Sequence, residues 1–246
     1  MRKRLILGCC ALAALVMPAA GTAFAEKVAV EMRGQPRPLP ATAYMVGTYD
    51  GEGRPDACII DRVGIADTSG GKMIYHVGIA PTRQTAKNIE TSGAFTLSLP
   101  SRAILAQADH TGNVSAAGEG GYYDKFAATG LKHEKSAVVN APVPLDAPVV
   151  LECKLVKTME FPDATHKVFF GEVVAYRVAA EALDGDKSKP VDQYDPVKAG
   201  ALVYAAGRQA KGGYYALSAP QGGRGEVWPK KFSGAGGLEP QPKSGK

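Results

Sequence analysis

Short apolar segments separated by turn-forming residues constrain the fold of this chain more than any other feature of its sequence. Tyr44–Tyr49 is one such segment, and a turn at residues 50–53 separates it from a second segment at residues 57–60. This spacing is typical of a β-hairpin. With 29 glycines and 17 prolines in 246 residues, long uninterrupted helices are disfavoured. The pattern therefore predicts a mainly β fold, built as an antiparallel barrel or sandwich.

Periodicity predicts where the other strands and the helices lie. Strands are predicted at residues 72–79, 94–99, 149–158 and 166–178, and short helices at residues 83–91 and near residues 104–108. Phe95, Leu97 and Leu99 alternate with smaller or polar residues, so their strand is expected to be half-buried. The same alternation in the strand at residues 149–158 places Glu152 and Lys154 on an expected polar face.

The two ends of the chain differ from its middle. Residues 2–4 are basic, residues 5–16 are mostly apolar, and Ala23-Phe24-Ala25 has the small-x-small pattern of a signal peptidase site. We therefore expect a signal peptide at residues 1–25, cleaved after Ala25, and export to the periplasm. The apolar segment is too short for a retained membrane anchor. The expected remainder is an N-terminal extension at 26–40, one domain at 41–220 and a disordered tail at 221–246.

Charge and cysteine content argue against two classes of function, nucleic-acid binding and metal binding. Removing the predicted signal peptide takes away three basic residues, leaving 26 basic and 24 acidic side chains, so no nucleic-acid partner is expected. Cys58 and Cys153 remain. An oxidising compartment permits a disulfide between them, whereas their strand contexts favour buried thiols. The cysteines and histidines show no metal-ligand spacing, so no metal site is expected.

Residues 81–89 contain the strongest candidate for a binding motif. Arg83, Thr85 and Lys87 place a guanidinium, a hydroxyl and an ammonium at the start of a predicted helix. Backbone N–H groups at a helix N-terminus favour an anion, and these side chains add donors, so a phosphate site is one interpretation. An ordinary helix with a solvated basic face is the other.

Other segments carry weaker signals. Residues 112–115 form either a loop that approaches a flat ligand or a connector, and residues 122–126 read more readily as a helix edge than as a site. His166 begins a strand, where a hydrogen-bonded surface histidine is the common case. Residues 213–215 form either a strand end or an aromatic platform.

Taken in order, these motifs resemble the flavin reductase-like family, and within it the flavoredoxin branch most of all. The segments that carry the resemblance are residues 44–50, residues 54–56, residues 81–89, residues 93–96, residues 108–109, residues 112–115, residues 124–131, residues 151–155, His166 with residues 170–173, and residues 213–215. They extend from about residue 39 to residue 217. The resemblance implies a split β-barrel with a few short helices that binds FMN, usually as a homodimer.

The resemblance also implies a set of site residues. The strand at residues 57–61 and the Arg-x-Thr turn would hold the ribityl phosphate, and other segments would lie near the isoalloxazine or the reductant. The implied cofactor-binding residues are Ile59, Ile60, Asp61, Arg83, Thr85, Lys87, Ser115, Asp124, Lys125 and Phe126. His166 would lie at the pocket rim and is the one catalytic candidate. Asp61 departs from the family pattern, because its carboxylate would repel a phosphate unless Arg62 or Arg83 pairs with it.

The implied function is that of an exported FMN-binding oxidoreductase that passes electrons from a donor to FMN and on to an acceptor. Reduced nicotinamide is scarce outside the cytoplasm, so the donor is unassigned, and a redox protein of the same compartment is one candidate. The isoalloxazine carries the redox chemistry, so an enzyme of this type needs no obvious nucleophile. Two alternatives stay open: a non-catalytic cofactor-binding module of the same fold, and a structural domain that lost its pocket.

Overall fold

The computed structural model describes residues 37–118, 120–183, 194–208 and 211–218. Over these residues the chain is mainly β, as predicted. The strands are β1 Arg37–Thr42, β2 Tyr44–Tyr49, β3 Pro55–Ile60, β4 Val63–Asp67, β5 Ile74–Ile79, β6 Ala94–Leu99, β7 Ala117–Gly118, β8 Gly121–Tyr122, β9 His133–Lys135, β10 Pro142–Pro144, β11 Val149–Met159, β12 Lys167–Val178, β13 Leu202–Arg208 and β14 Lys211–Ala216. The α-helices are α1 Gln84–Ser92, α2 Leu105–Asn113 and α3 Lys125–Thr129, and short 3-10 helices occupy Ser69–Gly71, Arg102–Ile104 and Ala180–Ala182.

The predicted ends of the chain fall largely outside this description. The signal peptide at residues 1–25 and the tail at residues 221–246 lie outside the described residues, and both stay predictions. β1 begins at Arg37, within the segment expected to be an extension, and pairs with β13.

A seven-stranded antiparallel sheet organises the fold, in the order β3-β2-β6-β11-β12-β5-β4. The hairpin predicted from the turn at residues 50–53 is its β2–β3 pair, in which Val46 lies opposite Cys58. A separate three-stranded sheet has the order β1-β13-β14. Its main chain is joined to the start of β2 through the Ala43 N–H, which donates to the Leu202 carbonyl at 3.0 Å.

One face of the large sheet packs around a closed apolar core. Val46, Phe95, Leu97 and Phe169 are nearly or fully inaccessible to solvent, and Ile89 of α1 packs into the same cluster. Burying side chains of this size is the main favourable term in folding, at roughly 1.5–3 kcal/mol each. The core therefore holds α1 in place, and the first turn of α1 forms part of the candidate site described below.

The opposite face of the sheet is also covered, contrary to the expectation of a half-buried β6. All six residues of β6 are buried. Met45 and Val150 belong to a second apolar cluster, which includes residues from α2 and α3. The Thr96 hydroxyl satisfies its hydrogen bond by donating to the Pro142 carbonyl at 2.7 Å. The residues of β6 alternate between two faces as predicted, but segments that follow later in the chain cover its more polar face.

The exposed polar face expected for β11 is wrong at Glu152. Its side chain is fully buried, although Lys154 two residues later is exposed as predicted. The Arg177 Nε donates to Glu152 Oε1 at 2.6 Å, and the Ser136 hydroxyl donates to Glu152 Oε2. A carboxylate can be buried here because both of its oxygens are paired.

Cys58 and Cys153 are buried free thiols. Cys153 lies in β11 opposite Phe95 of β6, within the apolar core. Burial raises the pKa of the Cys153 thiol to about 12 and also raises the pKa of the Cys58 thiol. Of the two readings of the sequence, the structure shows the buried thiols.

Candidate functional site

The candidate site is a cavity of about 520 Å³ where the end of the β2–β3 hairpin meets α2, the β5–α1 turn and the β13–β14 hairpin. Its lining residues are Ala43, Cys58, Ile59, Ile60, Asp61, Arg62, Gly78, Ile79, Ala80, Thr82, Arg83, Asp109, Gly112, Asn113, His166, Tyr204 and Tyr214. Apolar residues of β3 share the wall with four charged side chains, those of Asp61, Arg62, Arg83 and Asp109. The cavity is therefore suited to a ligand that carries both charged and apolar groups.

The end of β3 lies directly against the last turns of α2. A Cβ atom at Gly112 would lie 2.6 Å from Ile59 Cγ2, so only glycine permits this approach. The Ile59 N–H donates to the Thr111 hydroxyl at 3.1 Å. The Thr111 hydroxyl in turn donates to the Ala108 carbonyl at 2.7 Å. Strand and helix thus form one rigid wall of the cavity.

The first turn of α1 contributes a cationic part of the wall. Arg83 is the N-cap residue, with extended backbone angles, and its Nη1 donates to the Val114 carbonyl at 3.3 Å. This bond holds the half-buried guanidinium across the gap between α1 and the end of α2. Thr82, one residue earlier, also lines the cavity. A helix N-terminus beside an arginine and a hydroxyl is suited to binding an anion.

Arg62 offsets the acidic group that departs from the family pattern. Arg62 Nη1 lies 3.5 Å from Asp61 Oδ1, which is the pairing that the sequence analysis required. The Arg62 carbonyl accepts a hydrogen bond from Gly78 N–H at 2.8 Å, and a Cβ atom at Gly78 would lie 3.1 Å from Arg62 Cβ. The close approach to glycine holds Arg62 against β5.

A second carboxylate, Asp109, lies where α2 faces the β13–β14 hairpin. Tyr214 Oη donates to Asp109 Oδ1 at 2.8 Å, and Asn113 Nδ2 donates to Asp109 Oδ2 at 3.0 Å. The rings of Tyr214 and Tyr204 pack edge to face, with centroids 5.2 Å apart. Burial chiefly, and then the hydrogen bond and charge of Asp109, raise the pKa of Tyr214, so its phenol stays a donor at neutral pH.

Five of the residues implied by the resemblance line this cavity. They are Ile59, Ile60, Asp61, Arg83 and the catalytic candidate His166. Gly112 and Asn113 line it as well, but the loop predicted for them is wrong, because they are the last two residues of α2. The structure therefore brings the end of β3, the start of α1 and His166 to one cavity.

Thr85 and Lys125 do not line the cavity. Thr85 Oγ1 donates to Asp56 Oδ2 at 2.6 Å, and Lys125 Nζ lies 2.8 Å from Asp56 Oδ1. Lys125 Nζ also donates to the carbonyls of Ala57 at 2.7 Å and Thr111 at 3.0 Å. These side chains form a buried network behind β3. Thr85 faces this network and not the cavity because it lies two residues after Arg83, and two residues along a helix rotate a side chain to a different face.

The other four implied residues are also placed away from the cavity wall. Lys87 and Ser115 are exposed, and neither lines the cavity. Asp124 caps α3, accepting a hydrogen bond from Ala127 N–H at 2.9 Å. Phe126 is buried in the second apolar cluster. Of these four residues, Asp124 and Phe126 stabilise α3 and its packing, and Lys87 and Ser115 lie at the surface of the protein.

Sequence reasoning missed several lining residues. Arg62, Thr82, Asp109, Tyr204 and Tyr214 reach the cavity without having been assigned to it. Thr82 and Arg62 each adjoin a residue that was assigned, so extending those motifs by one position would have found them. Tyr214 lies in the segment at residues 213–215, for which an aromatic platform was one of the two interpretations, whereas the sequence around Tyr204 gives no such signal. Both residues reach the cavity because the β13–β14 hairpin packs there.

Neither a metal centre nor a spanning helix is found in the part of the chain that the structure describes. Within it, no three His, Cys, Asp or Glu side chains are grouped so that they could hold a metal ion. No helix there is long and apolar enough to cross a membrane.

The comparison with known families and structures agrees with this architecture. Residues 36–213 match the family described as flavin reductase like domain. The flavoredoxin of Desulfovibrio vulgaris (Miyazaki F) is 27% identical, with a TM-score of 0.66, over 80% of this chain and 97% of that one. A flavoredoxin from Methanosarcina acetivorans is 20% identical, with a TM-score of 0.65, over 79% of this chain and 95% of that one. An FMN-binding protein from Thermus thermophilus, with bound 1-cyclohex-2-enone, is 22% identical, with a TM-score of 0.60, over 78% of this chain and 100% of that one.

The family match covers most of the chain, and the fold agrees with it. The chain therefore belongs to the flavin reductase-like domain family, and its fold is that family's split β-barrel. The likeness to the Methanosarcina and Thermus structures, at 20% and 22% identity, shows the fold alone.

Proposed function

We propose that this protein is a flavin-dependent oxidoreductase that holds FMN in the cavity between β3, α1, α2 and the β13–β14 hairpin. One observation carries the proposal. In a chain of the flavin reductase-like family, the cavity joins the cationic first turn of α1 to the apolar end of β3. A flavin mononucleotide needs both features, an anion site for its phosphate and an apolar surface for its ring system.

The residues present fit this group. Arg83 and Thr82 supply a charge and a hydroxyl at the start of a nine-residue helix, where a phosphate is favoured. Ile59 and Ile60 supply the apolar wall. The two carboxylates of the cavity have local partners, since Arg62 lies beside Asp61 and Tyr214 donates to Asp109. Repulsion of a phosphate by these carboxylates is therefore reduced.

The residues of this chain would bind and orient the cofactor. Bound FMN supplies the redox chemistry through its isoalloxazine ring. Arg83 would hold the phosphate end, Ile59 and Ile60 would exclude water from the ring, and His166 is the candidate for exchanging a proton with solvent. Such a division needs no protein nucleophile, which agrees with the absence of a nucleophile motif in the sequence.

Three further elements of the proposal come from the sequence. Residues 1–25 have the pattern of a signal peptide, so we place the mature protein in the periplasm. Since reduced nicotinamide is scarce there, a redox protein is the favoured electron donor, and the acceptor is unassigned. The family resemblance also favours a homodimer.

A second candidate function rests on Asp61. Its carboxylate lines the cavity, and its ion pair with Arg62 spans 3.5 Å with the guanidinium 36% exposed. An ion pair of this kind offsets only part of the repulsion of an anionic ligand. A module that binds flavin without turning over would follow if this charge disfavours the reduced, more electron-rich cofactor.

The visible absorption spectrum after FMN addition and gel filtration tests the proposal. We expect stoichiometric flavin absorbance in the purified protein and loss of most of it in Arg83→Ala. Lys87→Ala is the matched control, because it removes a cation from the same helix at an exposed position outside the cavity. A colourless protein that keeps no added FMN would overturn the proposal. Retained flavin that a chemical reductant reduces but no redox-protein donor reduces would favour the non-catalytic module.

A further inference from the structure

The β13–β14 hairpin forms a wall of the cavity although it lies outside the seven-stranded sheet. Tyr204 of β13 and Tyr214 of β14 pair directly in the register of the hairpin and both line the cavity. A Cβ atom at Gly212 would lie 1.7 Å from Tyr204 Oη. The Tyr204 side chain therefore occupies the space that a larger residue at position 212 would need. The hairpin is thus built to present two aromatic rings to the cavity.

A hydrogen-bonded cluster joins this wall to α2. Tyr214 Oη donates to Asp109 Oδ1 at 2.8 Å. Asn113 Nδ2 donates both to Asp109 Oδ2 at 3.0 Å and to the Asp109 carbonyl at 2.9 Å. Asn113 therefore fixes the carboxylate in the orientation that receives the tyrosine hydroxyl.

The position of Asp109 in the helix matters for this cluster. Asp109 is the fifth of the nine residues of α2, so its carboxylate lies beyond the first turn, where the backbone dipole would stabilise a negative charge. It is also close enough to Tyr214 to raise the pKa of the phenol. A carboxylate in such a position is stabilised by donors, and the donor that comes from outside its own helix is the hydroxyl of Tyr214.

We propose that Tyr214 is a positioning residue that, through Asp109, holds the β13–β14 hairpin against α2 and keeps the flavin from leaving the cavity. The inference rests on the proposed function for its ligand. Tyr214 acts through the hairpin. Its hydrogen bond to Asp109 fixes the positions of the Tyr204 and Tyr214 rings, and these two rings form the hairpin side of the cavity wall. Loss of the hydroxyl lets the hairpin separate from α2 while the ring itself is kept.

Hydrogen exchange on the ligand-free protein tests the mechanical part. We expect Tyr214→Phe to increase amide exchange in β13 and β14 relative to the wild type, with no increase in β6. Tyr215→Phe is the matched control, since its ring is 56% exposed and lies one residue along the same strand. Equal protection of the hairpin in Tyr214→Phe and the wild type would overturn the proposal whether or not flavin binds.

The rate of FMN release, followed by fluorescence after dilution, tests the functional part. A hydrogen bond to a carboxylate is strong enough that its loss should accelerate release about tenfold in Tyr214→Phe. Asp109→Ala should do the same, and the double variant should be no faster than either single variant. Asp109→Asn keeps an acceptor oxygen and should restore most of the retention.

The outcomes separate this proposal from the broader one. If the wild type binds no FMN, the oxidoreductase proposal fails and the exchange experiment alone decides whether the hairpin is held as described. If FMN binds and Tyr214→Phe releases it at the wild-type rate, the positioning role is overturned and the oxidoreductase proposal stands. Additive effects of Tyr214→Phe and Asp109→Ala would also overturn it.

Discussion

Two buried carboxylates, Asp56 and Glu152, are each neutralised by a cation, and the two cations differ in their exposure to solvent. Their residues are 1% and 0% exposed, and each is paired with a cation and a hydroxyl. The cation of Asp56 is Lys125, whose side chain is 2% exposed. The cation of Glu152 is Arg177, whose side chain is 41% exposed. One pair is wholly internal, and the other reaches water through its arginine.

The difference reflects what each pair connects. Lys125 joins β3 to α2 through the carbonyls of Ala57 and Thr111, and both of those elements form walls of the cavity. Arg177 joins the central sheet to Glu134 of β9 at 2.8 Å, and none of these residues lines the cavity. The internal pair of Asp56 and Lys125 therefore shapes the candidate site, whereas the half-exposed pair of Glu152 and Arg177 holds a peripheral hairpin against the sheet.

The largest effect is expected from Lys125→Met. Removing this cation leaves Asp56 charged in the interior, and breaking a buried pair in this way costs about 3–5 kcal/mol of the free energy of unfolding. Because β3 and α2 lose their shared donor, FMN retention should fall as well. Urea denaturation and the absorption assay measure the two effects. The double variant Asp56→Leu/Lys125→Met is the control and should recover much of the stability, since it leaves no unpaired charge.

Arg177→Met should have a smaller effect, a loss of about 1–3 kcal/mol of unfolding free energy. Water can approach Glu152 at the site that the half-exposed guanidinium leaves, and the Ser136 hydroxyl still donates to it. FMN retention should stay at the wild-type level. If this variant is destabilised as much as Lys125→Met, or loses FMN, exposure of the cation is not what distinguishes the two pairs.

Thr85→Val should reduce the free energy of unfolding by about 1–2 kcal/mol, since it removes the hydroxyl that donates to Asp56 Oδ2. Valine keeps the shape of the side chain, and the residue lies outside the cavity, so FMN affinity should change less than in Arg83→Ala. Denaturation and flavin titration distinguish the two roles. A stable variant with strongly weakened FMN binding would show that Thr85 contacts the phosphate after all.

The smallest effect concerns pH and His133 of β9, which lies between the two networks. Its ring is 4.6 Å from Phe126, next to Lys125, and its neighbour Glu134 pairs with Arg177. Burial chiefly lowers the pKa of His133 below its ordinary 6.5, against an opposing effect of Asp124. The unfolded chain therefore binds the proton more readily, so His133 costs stability as the pH falls from 6.5 through its folded pKa.

Thermal denaturation across this range tests the pH effect. The wild type should lose stability relative to His133→Gln as the pH is lowered below 6.5, and the two should differ by a constant amount above it. A difference that is the same at every pH would contradict the lowered pKa.

Much of the fold could be predicted from the sequence because strands and turns have local signatures. The turn at residues 50–53 marked the β2–β3 hairpin, and the polar start of α1 lies one residue after the predicted start at Arg83. The burial of Glu152 and of all six residues of β6 could not be predicted, because the covering segments lie elsewhere in the chain. Alternation reports two faces of a strand, and it does not report how many of them are covered.

The candidate site divides in the same way. The mainly β architecture and the chemical groups at the end of β3 and the start of α1 can be read from the amino-acid order, since they depend on neighbouring residues. That Arg83 faces the cavity while Thr85 faces Asp56, and that Tyr214 reaches Asp109 across 105 positions of sequence, follows from the packing of the folded chain. Which side chains meet depends on packing between distant segments, and a helix or strand pattern read locally contains no information about its partner.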